Sequence, residues 1–203
     1  MKKNETRASL VRYFAYTLFA FILMKLLGVL LQNGNYAWLF EHQPIEWLHF
    51  SLLLASVIVL WPGRGPGNDR YRVVATVLLS LAAFASLREL DLLLDRLIPV
   101  LGWKIAFVLP VFAIAYATVH RRIFWQAMDR FVSMPAFALF WSGFVIAVPL
   151  AQLLGHGPLL QALMGEDYIH MYKQVIEESA ELIGYFVILA AAFEYRFTFS
   201  SER

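Results

Sequence analysis

The sequence predicts an all-α membrane protein, a compact bundle of six transmembrane helices with both termini in the cytoplasm. Three observations predict it. The 203-residue chain is 60% hydrophobic and 16% charged, with a mean hydropathy of +0.61, which lies outside the usual range of soluble domains. Apolar stretches of membrane-spanning length recur along the chain, and Lys and Arg concentrate in alternate connections between them. We treat residues 1–203 as a single domain.

The six predicted spans follow from stretches that approach the roughly 20 apolar residues needed to cross a bilayer. The first is predicted to be a retained helix, because it ends in QNGN rather than at a small-residue cleavage site. Turn signals at 32–35, 62–69, 99–102 and 155–158 separate the spans. The third and sixth are long enough to tilt or to project beyond the lipid. The predicted spans are residues 10–32, 45–61, 71–98, 103–120, 134–155 and 169–197.

The positive charges set the predicted orientation. With the N-terminus inside, most of the 17 Lys and Arg residues fall in cytoplasmic segments, as the positive-inside rule requires. Residues 121–132 then lie in the cytoplasm, either as a basic loop or as an amphipathic helix with Phe131 toward lipid. The small size and the absence of targeting extensions lead us to expect the inner membrane of a bacterium.

Composition also limits the partners. The chain has no Cys, which excludes disulfides, thiolate metal sites and Cys nucleophiles. A net charge of +2 is too small to indicate nucleic acid binding. The expected partners are membrane lipids and a lipid-linked or small polar ligand, and the sequence leaves the oligomeric state open.

Charged side chains are concentrated in the outer halves of the predicted spans. The inner halves offer hydroxyl groups instead, so the asymmetry indicates one shared polar region. An ionised side chain facing hydrocarbon costs several kcal/mol, so these groups are expected to face each other or a water-filled cavity. The informative members are Lys25 on the first span, Arg88, Glu89 and Asp91 on the third, and Glu177, Glu178 and Glu181 on the sixth, with Glu46 and His49 of the second span expected at the rim.

Helical spacing predicts how these side chains are arranged. On the sixth span, steps of four place Glu177, Glu181 and Tyr185 on one face, which we expect to meet Arg88 or Lys25. Glu178 is offset toward another helix. On the third span, Arg88 and Asp91 share a face and Glu89 is turned about 100° away. Gly184 is expected to let a neighbouring helix approach closely.

The leading functional hypothesis is an outward-facing pocket that binds a polar or charged head group. Lys25, Arg88 and Tyr185 are the predicted ligand-binding residues, because cationic and hydroxyl groups suit an anionic ligand. Carboxyl groups in such a setting also support acid–base chemistry on a lipid-linked substrate. The predicted catalytic residues are Glu89, Asp91, Glu177, Glu178 and Glu181.

A divalent metal site is the first alternative, with Glu46 and His49 as its predicted ligands. These two form a Glu-x-x-His pair, and Glu178 with Glu181 repeats the spacing with a second carboxylate. The local pattern resembles that of ferritin-like di-iron bundles, although the second His is missing. The resemblance implies a cation held by Glu46, His49, Glu89, Glu178 and Glu181.

Other functional classes remain open. The stretch from Glu177 begins like the Glu-Glu-x-x-x-Arg motif of intramembrane CAAX-type proteases, but Leu182 stands where that motif has Arg. A proton-coupled transporter is less well supported, because the charges lie late in the third span and early in the sixth rather than at equivalent positions of a repeat. The charges also suit a structural or assembly role as interhelical ion pairs.

Overall fold

The computed structural model describes residues 2–32, 44–61 and 69–200, and within these ranges the chain is helical without a β-strand. The all-α prediction is therefore confirmed. The predicted turns at 32–35 and 62–69 lie largely outside the described residues. The chain forms two compact units, Met1–Pro44 and Ile45–Arg203. In the first unit the main described element is one long helix, and the remaining helices belong to the second.

The helix bounds, in chain order, are α1 (Lys2–Gln32), α2 (Pro44–Leu60), α3 (Asp69–Arg88), α4 (Asp91–Leu97), α5 (Val108–Val119), α6 (Arg121–Val132), α7 (Pro135–Val145), α8 (Ala151–Leu154), α9 (Gly157–Met164) and α10 (His170–Ser200). Two 3₁₀ segments lie at Gly102–Phe107 and Gly165–Asp167. A π-helical segment, Ile146–Leu150, joins α7 to α8.

Four helical segments are long and apolar enough to cross a membrane: Thr6–Gln32, Asp69–Arg88, Gly102–Val119 and Pro135–Leu154. They agree with the first, fourth and fifth predicted spans and with the first part of the third. The second predicted span corresponds to α2, which is apolar but, at 17 residues, shorter than these four segments. The sixth, α10, has 31 residues and carries the acidic stretch in its first half. Six spans and cytoplasmic termini therefore stay predictions.

The surface of the second unit is rich in exposed apolar side chains. Val111 is 64% exposed, Ile114 68% and Val108 64%, all on α5. Water-soluble proteins rarely expose contiguous apolar patches of large size, whereas lipid-facing helices present such side chains along their length. These surfaces are compatible with insertion of the helices into a bilayer.

A ribbon of small residues brings α10 against the helices that precede it. The ribbon consists of Gly143, Ala147, Ala151 and Gly155, spaced four residues apart. A Cβ added to Gly184 of α10 would lie 2.5 Å from the Ala147 Cβ and 2.6 Å from its main-chain nitrogen. Such close backbone approach is typical of small residues at membrane helix interfaces. The close contact predicted at Gly184 is confirmed.

One expectation about helix shape is wrong. The predicted third span, 71–98, is not continuous: α3 ends at Arg88, and α4 begins at Asp91 after a turn in which Leu90 takes φ −104° and ψ 26°. The backbone torsions of this turn, rather than Pro or Gly, redirect the chain. Glu89 itself still donates its main-chain N–H to the Ala85 oxygen at 3.2 Å, as in a helix, and its side chain and that of Arg88 reach the same cluster.

Residues 121–132 do form a helix, α6, but its apolar face packs into the protein. Phe131 is 3% exposed and makes an edge-on contact with Tyr195 of α10, with ring centroids 5.3 Å apart. Tyr195 stacks on Tyr71 at 5.0 Å and donates a hydrogen bond to its main-chain oxygen at 3.1 Å. The expectation that Phe131 faces lipid is therefore wrong, because this aromatic core takes its side chain.

Candidate functional site

A cluster of charged and aromatic side chains lies where α2, the end of α3 and the first half of α10 meet. All of its members belong to the second unit. The His/Glu cluster, as we name it, consists of His49, Arg88, Glu89, Glu178, Glu181 and Tyr185. Three separate stretches of sequence thus supply one site.

His49 lies at the centre of the cluster and is fully buried, at 0% exposure, so the expectation that it lies at the rim is wrong. Its Nε2 atom lies 3.1 Å from the main-chain oxygen of Glu178. A carbonyl oxygen can only accept a hydrogen bond, so this contact requires the proton to be on Nε2. In a neutral ring, Nδ1 then carries a lone pair, and the main-chain contact fixes the direction in which that lone pair points.

Nδ1 of His49 faces carboxylate oxygens. The distances from Nδ1 are 3.1 Å to Glu89 Oε2, 3.4 Å to Glu178 Oε2 and 4.0 Å to Glu181 Oε2. Ionised carboxylates only accept hydrogen bonds, so a lone pair among them is stable only if a positive charge lies between the acceptors. That charge is either a proton, held on Nδ1 or on a facing carboxyl group, or a bound cation.

Arg88 and Tyr185 hold the other oxygens of two of these carboxylates. Arg88 Nη2 lies 3.3 Å from Glu89 Oε1 and 3.4 Å from Glu181 Oε1. The Tyr185 hydroxyl donates to Glu89 Oε1 at 2.8 Å, and its ring packs edge-on against His49 at 5.2 Å. Glu89 and Glu181 therefore use Oε1 for these contacts and direct Oε2 toward His49.

The cluster carries excess negative charge when its carboxyl groups are ionised. Glu89, Glu178 and Glu181 oppose the single guanidinium of Arg88, which leaves two net negative charges with a neutral imidazole. The side chains of Glu89 and Glu181 are only 5% and 9% exposed. Burying unbalanced charge is costly, so the site requires protons or a cation to balance it.

The ligand atoms are close enough to hold one ion. His49, Glu178 and Glu181 each offer a nitrogen or oxygen atom, and these atoms all lie within 4.8 Å of one another. Glu178 and Glu181 are one helical turn apart on α10, so they share a side of the helix. Glu46, half-buried one turn before His49, is not a member of this group.

Several predicted site residues lie elsewhere. Glu177 does not face Arg88 as expected: its Oε2 lies 3.7 Å from Lys173 Nζ on its own helix, and its side chain packs beside Gly155. Asp91 is half-buried, and its Oδ1 accepts a hydrogen bond from the main-chain nitrogen of the next residue at 2.6 Å.

Lys25 belongs to the first unit. Its Nζ lies 5.6 Å from the centre of the Phe21 ring, a cation–π distance. Its predicted role as an anion contact stays a prediction. Sequence reasoning also missed the main-chain oxygen of Glu178 as a partner of the imidazole, because no residue type marks a carbonyl group that binds a distant ring.

Comparison with family models, curated proteins and solved structures found no match to this chain. The geometry of the site is therefore the basis for its functional interpretation.

Proposed function

We propose that the protein is an integral membrane metalloprotein that holds one divalent cation in the His/Glu cluster. The ligands are His49 Nδ1 and the Oε2 atoms of Glu178 and Glu181. One observation carries the proposal: the imidazole is fixed through Nε2 to a main-chain carbonyl while Nδ1 points at carboxylate oxygens. A His bound to a metal usually has this kind of partner on its other nitrogen.

The spacing of the ligand atoms agrees with this proposal. Ligand atoms placed tetrahedrally around an ion at about 2.0–2.1 Å lie roughly 3.3 Å from one another. The distance of 3.4 Å from Nδ1 to Glu178 Oε2 is close to that value, and the 4.0 Å distance to Glu181 Oε2 requires a small inward shift. A set of one imidazole and several carboxylates suits Zn²⁺, Mn²⁺ or Fe²⁺.

Charge and orientation support the same conclusion. A divalent cation neutralises the two net negative charges of the cluster. Arg88 and Tyr185 contact the Oε1 atoms of Glu89 and Glu181, so they orient these carboxylates without occupying the space between the Oε2 atoms. Contacts of this kind commonly orient metal ligands.

The predicted topology places the ion in the outer half of the membrane, in a pocket that faces outward. A metal held there supplies Lewis-acid or acid–base chemistry to a substrate in the outer leaflet. Glu178, whose side chain is 27% exposed, is the most accessible of the proposed ligands.

A structural role for the cluster is the second candidate, and one observation favours it. Among the described residues, every buried side-chain nitrogen and oxygen has a hydrogen-bond partner without any ion. With a proton on Nδ1, the hydrogen bonds and ion pairs of the cluster can therefore hold α2, α3 and α10 together. The two functions differ in whether the purified protein retains metal.

Metal analysis of His49→Gln tests the proposal. Wild-type protein purified in detergent and dialysed against Zn²⁺ or Mn²⁺ should retain about one ion per chain, and His49→Gln should bind at least about 100-fold more weakly, because it loses the fixed imidazole. His170→Gln, an exposed His at the start of α10, is the matched control and should retain the ion. If wild-type protein binds neither Zn²⁺, Mn²⁺ nor Fe²⁺ on titration, the structural role is correct.

A further inference from the structure

The short helix α6 joins two segments that are long and apolar enough to cross a membrane. His120 alone separates it from Gly102–Val119, and Ser133 and Met134 separate it from Pro135–Leu154. Connections of one or two residues span only a few Å, so both ends of α6 stay at the level where the two segments leave the bilayer. The helix therefore lies along the membrane surface.

The two sides of α6 differ in what they contact. The inner side packs on the protein through the buried side chains of Ala127 and Phe131. On the outer side Trp125 is 64% exposed, and Arg121 and Val132 are exposed with it. Steps of four and seven residues place these three on one edge of the helix. An exposed Trp is typical of the interface at which lipid head groups lie.

A second helix adds positive charge to this outer side. Arg70, in the first turn of α3, donates from Nη2 to Gln126 Oε1 of α6 at 3.3 Å. Arg122 precedes Gln126 by one helical turn, so the backbone places both arginines beside the same amide. In the part of the chain that the structure describes, neither guanidinium contacts a carboxylate. The two positive charges are therefore left without an anionic partner from these residues.

The surface formed by the start of α3 and by α6 is positive as a whole. Residues 69–72 and 121–132 contain five Arg and two Asp residues, an excess of three positive charges. The residues counted are Arg70, Arg72, Arg121, Arg122 and Arg130, with Asp69 and Asp129. Each Arg held near an anionic membrane surface strengthens the attraction roughly fivefold. The charge of this surface therefore complements an anionic partner.

We propose that the outer side of α6, together with Arg70, binds the head group of an anionic membrane phospholipid. The phosphate lies against Arg70 and Arg122, because guanidinium groups suit phosphate oxygens, and an acyl chain passes Trp125 toward the hydrocarbon. The excess of positive charge favours a head group with net negative charge over a zwitterionic one. This inference is independent of the metal site, since Arg70 and Arg88 lie at opposite ends of α3.

The experiment measures lipid binding to full-length protein in maltoside micelles, and native mass spectrometry counts the bound lipid. The probes are dioleoyl phosphatidylglycerol, which is anionic, and dioleoyl phosphatidylcholine, which has the same phosphate and acyl chains without net charge. We expect wild-type protein to prefer phosphatidylglycerol. The double variant Arg70→Gln with Arg122→Gln should lose roughly fivefold or more of that preference.

A matched control removes two positive charges from the opposite end of α3 and α5. Arg96→Gln with Lys104→Gln serves, because both residues are exposed and lie between the end of α3 and the start of α5. This variant should keep the wild-type preference. An equal loss in the two double variants contradicts the site at α6.

Two outcomes for wild-type protein overturn the proposal without any variant. Equal binding of phosphatidylglycerol and phosphatidylcholine shows that the surface does not select an anionic lipid. Binding of glycerophosphoglycerol, the deacylated head group, as tightly as the intact lipid shows that the surface takes a free anion instead.

Discussion

Replacing Tyr185 with Phe removes one hydroxyl from the His/Glu cluster and keeps the ring. The substitution removes two contacts of the hydroxyl: the 2.8 Å hydrogen bond to Glu89 Oε1 and the longer, 3.4 Å contact with Arg88 Nη2. Packing of the ring on His49 is retained. A hydrogen bond to a charged group contributes about 1.5–3 kcal/mol, so we expect Tyr185→Phe to lower the free energy of unfolding by that amount.

Tyr195→Phe is the matched control on the same helix. Tyr195 is as buried as Tyr185, but its hydroxyl donates to the neutral main-chain oxygen of Tyr71 at 3.1 Å. Neutral hydrogen bonds in membrane proteins average about 0.6 kcal/mol, so this variant should lose much less stability. Reversible unfolding of metal-free protein in mixed micelles with increasing SDS measures both. If Tyr185→Phe costs no more than Tyr195→Phe, Glu89 is not an ionised partner of the hydroxyl and the charge balance proposed for the cluster is wrong.

Three further predictions concern the rest of the molecule. Glu177→Gln should leave metal content unchanged and alter stability by no more than about 0.5 kcal/mol, since its partly exposed ion pair lies within one helix, and metal analysis with SDS titration checks both. Gly184→Val should lower the free energy of unfolding by about 1–3 kcal/mol or more. Gly28→Ala, where an added Cβ meets nothing within 4 Å, should not destabilise the protein. Equal effects of the two substitutions contradict the close helix contact. Because the chain has no Cys, Ser133→Cys and Leu163→Cys report topology directly, and a membrane-impermeant thiol reagent added outside cells should label only the second.

Sequence reasoning reached the fold class because hydropathy and charge placement act over whole segments. It could not locate the break after Arg88, since that turn contains neither Pro nor Gly and depends on the backbone torsions of Leu90. It also could not foresee that the apolar face of α6 would be covered by protein. The aromatic contact between Phe131 and Tyr195 joins positions that are far apart in sequence.

The candidate site was partly predictable for a similar reason. The concentration of charge in one half of the spans correctly brought together Arg88, Glu181 and Tyr185, since costly charges in lipid must find each other. Glu177 does not reach Arg88, because helical spacing does not fix the rotation of α10, and a contact with Lys25 stays a prediction. Close packing against the ribbon of small residues sets that rotation and places Glu177 beside Gly155.

The identity of the charge that lies among His49 Nδ1 and the carboxylates is the central question about this protein. X-ray absorption spectroscopy of Zn²⁺-loaded protein tests it most directly. We expect one imidazole nitrogen and carboxylate oxygens at about 2.0–2.2 Å, and loss of the imidazole signal in His49→Gln. A zinc shell without imidazole in wild-type protein, or the same shell in wild type and His49→Gln, contradicts the proposed metal site.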